Sequence, residues 1–173
     1  MNIKSSNYKY LVIINCTLFF FVSCNKQPKA VAAKVFDRQA FSFNYPATWK
    51  IDDKDADFDA DHMFSIDASD SAMIIFTILE EKINPHEALS LRIERQKKQI
   101  REEKRSSFSH WGTFDGSGVL LYGKTTRNVD VSLRIFVFNS ANKTFAITEY
   151  AHKNEMQMLA GGYQMIESSF RIK

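Results

Sequence analysis

Cysteine is nearly absent from this 173-residue chain: there are two, Cys16 and Cys24. Both sit near the start, so no disulfide frame or thiol redox couple can be built further along, and stability must come from a core. Glycine and proline are scarce as well, at six and three, which excludes collagen-like and low-complexity architectures. The four histidines, His62, His86, His110 and His152, are dispersed without the paired spacing of a metal site, and each reads as an ordinary surface or strand residue. There is no Gly-x-Ser-x-Gly elbow and no cysteine left to act as a nucleophile. A hydrolase could be assembled only from scattered Ser, His and Asp brought together by the fold. A strong excess of one charge is missing too, with 23 basic residues against 20 acidic ones, so a nucleic-acid partner is not expected.

What is present at the start is an address label. Lys4 and Lys9 stand without an acid beside them, and an apolar run from Tyr10 to Val22 follows. The run is shorter than the ~20 residues a permanent bilayer-spanning helix needs, and polar Asn25, Lys26, Gln27 and Lys29 come after it. Phe21-Val-Ser-Cys24 resembles the bacterial lipobox, with Phe21 where leucine is usual. That resemblance implies cleavage before Cys24, diacylglycerol on its sulfur and a further acyl chain on its amine. Two or three chains, at ~0.8 kcal/mol per buried methylene, make membrane lipid a firm partner. The expected organisation is a signal peptide at 1–23, a lipidated N-terminus and flexible tether at 24–35, and a globular domain at 36–173. Loss of the signal leaves 21 basic residues against 20 acidic ones. Asn25 is not the aspartate that retains some lipoproteins at the inner membrane, which points to the outer membrane, facing the periplasm.

Within the domain, Phe41-x-Phe43-x-Tyr45 alternates as a half-buried strand and stops at Pro46, and Trp49 and Ile51 continue on a short extended piece. Met63 to Ala68 and Ala72 to Leu79 read as a hairpin about Ser69-Asp-Ser71. Asn84-Pro85-His-Glu87 carries a helix start: a side-chain cap, proline at the first position and glutamate three residues on. Leu89, Ile93 and Ile100 give that helix a thin apolar stripe, and Glu94 and Lys98 a favourable pair, to about Lys104. Strands follow at Phe108 to Phe114, Val119 to Thr126 after the turn Asp115-Gly-Ser-Gly118, Val131 to Phe138, and Thr144 to Ala151, as an antiparallel meander. A second helix spans about Asn154 to Ser168, lined by Leu159, Tyr163, Ile166 and Phe170. The fold class is therefore α+β: a central antiparallel sheet flanked by helices.

Three segments together, Phe41-Ser-Phe-Asn-Tyr-Pro-Ala-Thr-Trp49, Phe114-Asp-Gly-Ser-Gly-Val119 and Ile166-Glu-Ser-Ser-Phe170, make residues 36–173 resemble the PsbP-like family. That family is named for an extrinsic subunit of photosystem II and shares its sandwich with a Ran-binding nuclear import factor. The resemblance implies an α/β/α sandwich and a protein that docks on other proteins rather than turning over substrate. It supplies a fold more readily than a function.

The acidic stretch Asp52 to Asp61 offers Asp53, Asp55 and Asp57 at the spacing that opens a calcium loop. Phe58 replaces the glycine such a loop needs, and Phe64 stands where its closing acid belongs, so only a looser Ca²⁺ site is conceivable beside a solvated acidic loop. The basic residues Arg92, Arg95, Lys97, Lys98, Arg101, Lys104 and Arg105 are interleaved with Glu87, Glu94, Glu102 and Glu103, as on a salt-bridged solvent face. Tyr45, Trp49, Trp111 and Tyr122 fall at strand period and read as packing. The expectation is a membrane-anchored, non-catalytic lipoprotein that binds or assembles another envelope protein. The alternative is a carrier of a small hydrophobic ligand, whose lining fifteen phenylalanines could supply.

Overall fold

The computed structural model describes residues 32–53 and 62–173. Within them the order is β1 (Ala33–Asp37), β2 (Phe41–Pro46), β3 (Lys50–Asp52), β4 (Met63–Ser69), β5 (Ala72–Leu79), α1 (Pro85–Gln96), β6 (Ile100–Trp111), β7 (Phe114–Thr125), β8 (Asp130–Ser140), β9 (Lys143–His152), α2 (Met156–Ser169) and β10 (Arg171–Ile172). Seven strands form one antiparallel sheet in the order β3-β4-β5-β9-β8-β7-β6, and β1-β2-β10 form a second. Both are built from neighbouring hairpins, except where the β5–β9 and β2–β10 pairings join distant segments.

Side-chain alternation divides the large sheet into two faces. One carries Phe64 and Ile66 of β4, Ile74, Phe76 and Ile78 of β5, Phe136 and Phe138 of β8, and Phe145 and Ile147 of β9. The small sheet, through Phe41 and Phe43, and α2, through Leu159 and Ile166, close over it together with Phe170. Phe64 and Phe76 are cross-strand partners with stacked rings 4.7 Å apart, and Phe43 lies 5.3 Å from Phe76. Each such ring contributes roughly 2–3 kcal/mol when taken out of water. The opposite face, with Val119, Leu121, Val131, Leu133, Ile135 and Val137, receives Ala88, Leu89 and Ile93 of α1. β8 is apolar on both faces, which explains its nearly unbroken hydrophobic run.

Local chemistry sets the start of α1. The Asn84 side chain accepts from the backbone N–H of His86 at 2.9 Å and of Glu87 at 3.4 Å, ahead of Pro85 at the first turn. The loop before it is pinned to the sheet: buried Thr144 Oγ1 accepts from the Ile83 N–H at 2.9 Å, while Asn139 donates to the Ile83 carbonyl at 2.9 Å.

Four expectations need correction. Helix α1 ends at Gln96 instead of running to Lys104, because residues 100–111 pair with β7 and bury Ile100 and Trp111. Lys98 thus leaves the helix, and Glu94 pairs with Lys97 at 2.6 Å instead. The turn between β6 and β7 lies at Gly112–Thr113, where Gly112 has φ +57°, not at Asp115 to Gly118. Gly118 is instead a strand residue over which the Phe108 ring lies, so close that a Cβ there would meet its atoms at 2.5 Å. Finally, among the described residues the first strand, Ala33–Asp37, starts inside the stretch read as tether, because it pairs with β2; and Arg171–Ile172 add a strand on its other side.

Candidate functional site

Two features stand apart from ordinary packing. The first is a charge cluster between α2 and the sheet. Arg134 of β8 and Glu149 of β9 are cross-strand partners on the face that α2 covers. Arg134 donates to Glu149 at 3.1 Å and to Glu167 of α2 through both Nη atoms, at 2.7 and 3.1 Å. The buried Trp111 Nε1–H donates to Glu149 at 3.2 Å, and the Gly112 N–H to Glu167 at 2.9 Å. The guanidinium also lies over the Phe108 ring, 4.9 Å from its centroid. Burial pushes the Glu149 carboxyl above its ordinary range, against the pull of Arg134. Burial pushes Glu167 the same way, but the hydrogen bonds from Arg134 and Gly112 outweigh it and hold that group below its ordinary range. These hydrogen bonds join α2, β8, β9 and the β6–β7 turn in one clamp.

The second is a groove of about 580 Å³ on the α1 side of the sheet. α1 packs over β7 and β8 and stops short of β5 and β9, so the sheet's floor stays open at one end. Met73 and Ile75 of β5, Leu133 of β8, Tyr150 of β9 and Ile100 of β6 make an apolar floor. The turn after α1 brings Lys98 and Gln99 to the rim, and the β7–β8 turn brings Thr126 and Arg127. Among the described residues no acidic side chain lines it. Burial raises the Tyr150 phenol above its ordinary range. A cleft of this size, apolar below and polar at the rim, has the form of a ligand-binding site.

No family model and no curated protein matches the chain, but solved structures do. Cyanobacterial PsbP from Synechocystis sp. PCC 6803 superposes with a TM-score of 0.55, covering 88% of this chain and 99% of that one at 12% identity. The fold is PsbP-like. Two further structures similar to this chain are the Ran-binding protein Mog1p of Saccharomyces cerevisiae and LpqN of Mycobacterium tuberculosis. Mog1p has a TM-score of 0.52 at 12% identity, with 83% and 96% of the two chains covered. LpqN, described as involved in cell envelope biogenesis, has 0.50 at 16%, with 85% and 87% covered.

Of the residues singled out in the sequence, Cys24, Asp55 and Asp57 lie outside the described residues. Asp53 forms an ion pair with Arg38, whose guanidinium stacks over Phe36. His62 lies 3.4 Å from Glu80, and His110 2.9 Å from Asp115; His152 packs on Tyr150 and His86 is exposed on α1. Among the described residues no group of three His, Cys, Asp or Glu could hold a metal. Trp49 and Trp111 are core residues, as their strand period suggests. Neither the clamp nor the groove follows from a motif. The clamp had one usable signal: Arg134 shares its strand face with Phe136 and Phe138, and Glu149 stands between Ile147 and Ala151 on its own.

Proposed function

We propose that the chain is a non-catalytic docking module of the bacterial cell envelope, held by lipid on Cys24 to the outer membrane's periplasmic face and engaging another envelope protein. One observation carries the docking: β6 is a twelve-residue edge strand, paired among the described residues only with β7, and its residues 103–107 are exposed on both faces. Its outer N–H and C=O groups can receive an added strand. Arg101, Glu102, Glu103, Lys104 and Arg105 deter indiscriminate pairing and favour a partner of complementary charge pattern. The involvement of LpqN in cell envelope biogenesis accords with this reading, as does the lipobox.

A photo-crosslinking residue at position 104 in the native host should capture one envelope protein reproducibly, and the same group at exposed Met158 on α2 should not. Identical or empty captures from both positions overturn the docking surface. The anchor is tested separately: mass spectrometry should find a lipidated Cys24, and a free thiol or retained residues 1–23 would remove it. The groove specifically favours a second reading, carriage of a small hydrophobic ligand.

A further inference from the structure

We propose that the groove binds a single-chain amphiphile with an anionic head, its hydrocarbon lying across the strand ends and its head held at the rim by Lys98 and Arg127. This rests on the carrier reading and names the class of ligand. The floor crosses β5, β9, β8, β7 and β6 at one end of the sheet. Four strand spacings make it about 19 Å long, which suits an extended chain better than a compact ring system.

Charge selects the head. Lys97 and Lys124, close by, are neutralised by Glu94 at 2.6 Å and Asp130 at 2.8 Å. Lys98 and Arg127 are exposed and have no ion pair among the described residues, so the rim keeps its positive charge. Of the acids on the same sheet face, Asp67 stands beside Met73 at the β5 end of the groove, away from the Lys98 and Arg127 rim, and Glu102 of β6 is paired with Arg105 at 2.9 Å.

The floor argues against a peptide in this place. β5, β9 and β8 are interior strands whose N–H and C=O groups are used in the ladders on both sides. A peptide laid here would bring a row of amide groups to Met73, Ile75 and Leu133 side chains that cannot satisfy them, with few partners beyond the hydroxyls of Thr148 and Tyr150. A hydrocarbon chain brings none. Met73, 37% exposed at the mouth, is the adaptable kind of side chain that such a chain can slide against.

The test is titration of dodecanoate, below its micellar concentration, into the chain from residue 24 onward carrying Cys24→Ser, followed by NMR. Resonances of Ile75, Ile100, Leu133 and Tyr150 should shift and those of α2 should not. The double variant Lys98→Gln/Arg127→Gln should bind dodecanoate about tenfold more weakly, while its affinity for neutral dodecyl maltoside stays within twofold. Equal loss for both ligands, or dodecyl maltoside binding as tightly as dodecanoate to the parent chain, overturns the anionic assignment. Absence of groove shifts with either ligand overturns the carrier reading with it. That result leaves docking at β6 to the crosslinks from position 104, which do not depend on the groove.

Discussion

Arg134 holds two carboxylates in unlike surroundings, and this sets how the domain answers to pH. Glu167, kept below its ordinary range, contributes stability that is complete above that range and is lost as pH falls through its folded value. Glu149, raised by burial, works oppositely: its contribution is complete below the ordinary range and declines as pH rises toward the folded value. Arg134→Met leaves Glu149 without its counter-charge, so its carboxyl climbs further. The variant should lose about 3 kcal/mol near neutral pH, and less as acid protonates Glu149. Urea denaturation at a series of pH values checks this, and a loss independent of pH would show that the residue matters through packing alone. Arg92 is the converse. It is half-buried on α1, with no acidic partner among the described residues, and burial together with neighbouring Arg95 lowers its pKa. Arg92→Met should therefore stabilise the domain by about 0.5 kcal/mol in the same assay.

Neighbouring positions on one element can carry opposite constraints. A Cβ on Gly161 of α2 would meet nothing within 4 Å, whereas one on Gly162 would sit 2.3 Å from the Trp49 ring. Gly161→Ala should add about 0.5–1 kcal/mol through helix propensity. Gly162→Ala should cost about 1–3 kcal/mol by forcing Trp49 aside, and thermal melts of the two will separate propensity from packing. Asn84→Ala should cost about 1 kcal/mol by freeing the first N–H groups of α1. The beginning of that helix was legible because a cap is local chemistry. Its end was not. Gln96 to Arg105 is rich in good helix formers, and only the ladder with β7, set by distant residues, turns Ile100 onward into strand. The same holds for Gly116 and Gly118, which look like a turn and are instead the smooth surface that β8 and Phe108 press against.

At the scale of the whole molecule, the layer arrangement was readable from alternation and from the order of strands and helices. The groove was not, since five strands and a helix terminus contribute to it and no two of its floor residues are neighbours in sequence. The position of Phe170 shows how closely the layers depend on one another. It is fully buried and touches rings from β2, β5, β8 and β9. Phe170→Ala should cost about 4 kcal/mol, enough to halve the stability of a typical domain, as chemical denaturation would report.

The antiparallel match of Ser42 with Arg171 joins segments about 130 positions apart. A ribosome delivering this chain makes the first of them before, and the second after, strands β3 to β9 and both helices. Until then one sheet lacks a strand and Phe170 is missing from the centre. A polypeptide caught in that unfinished condition can still be threaded, end first, through an opening too narrow for the completed domain.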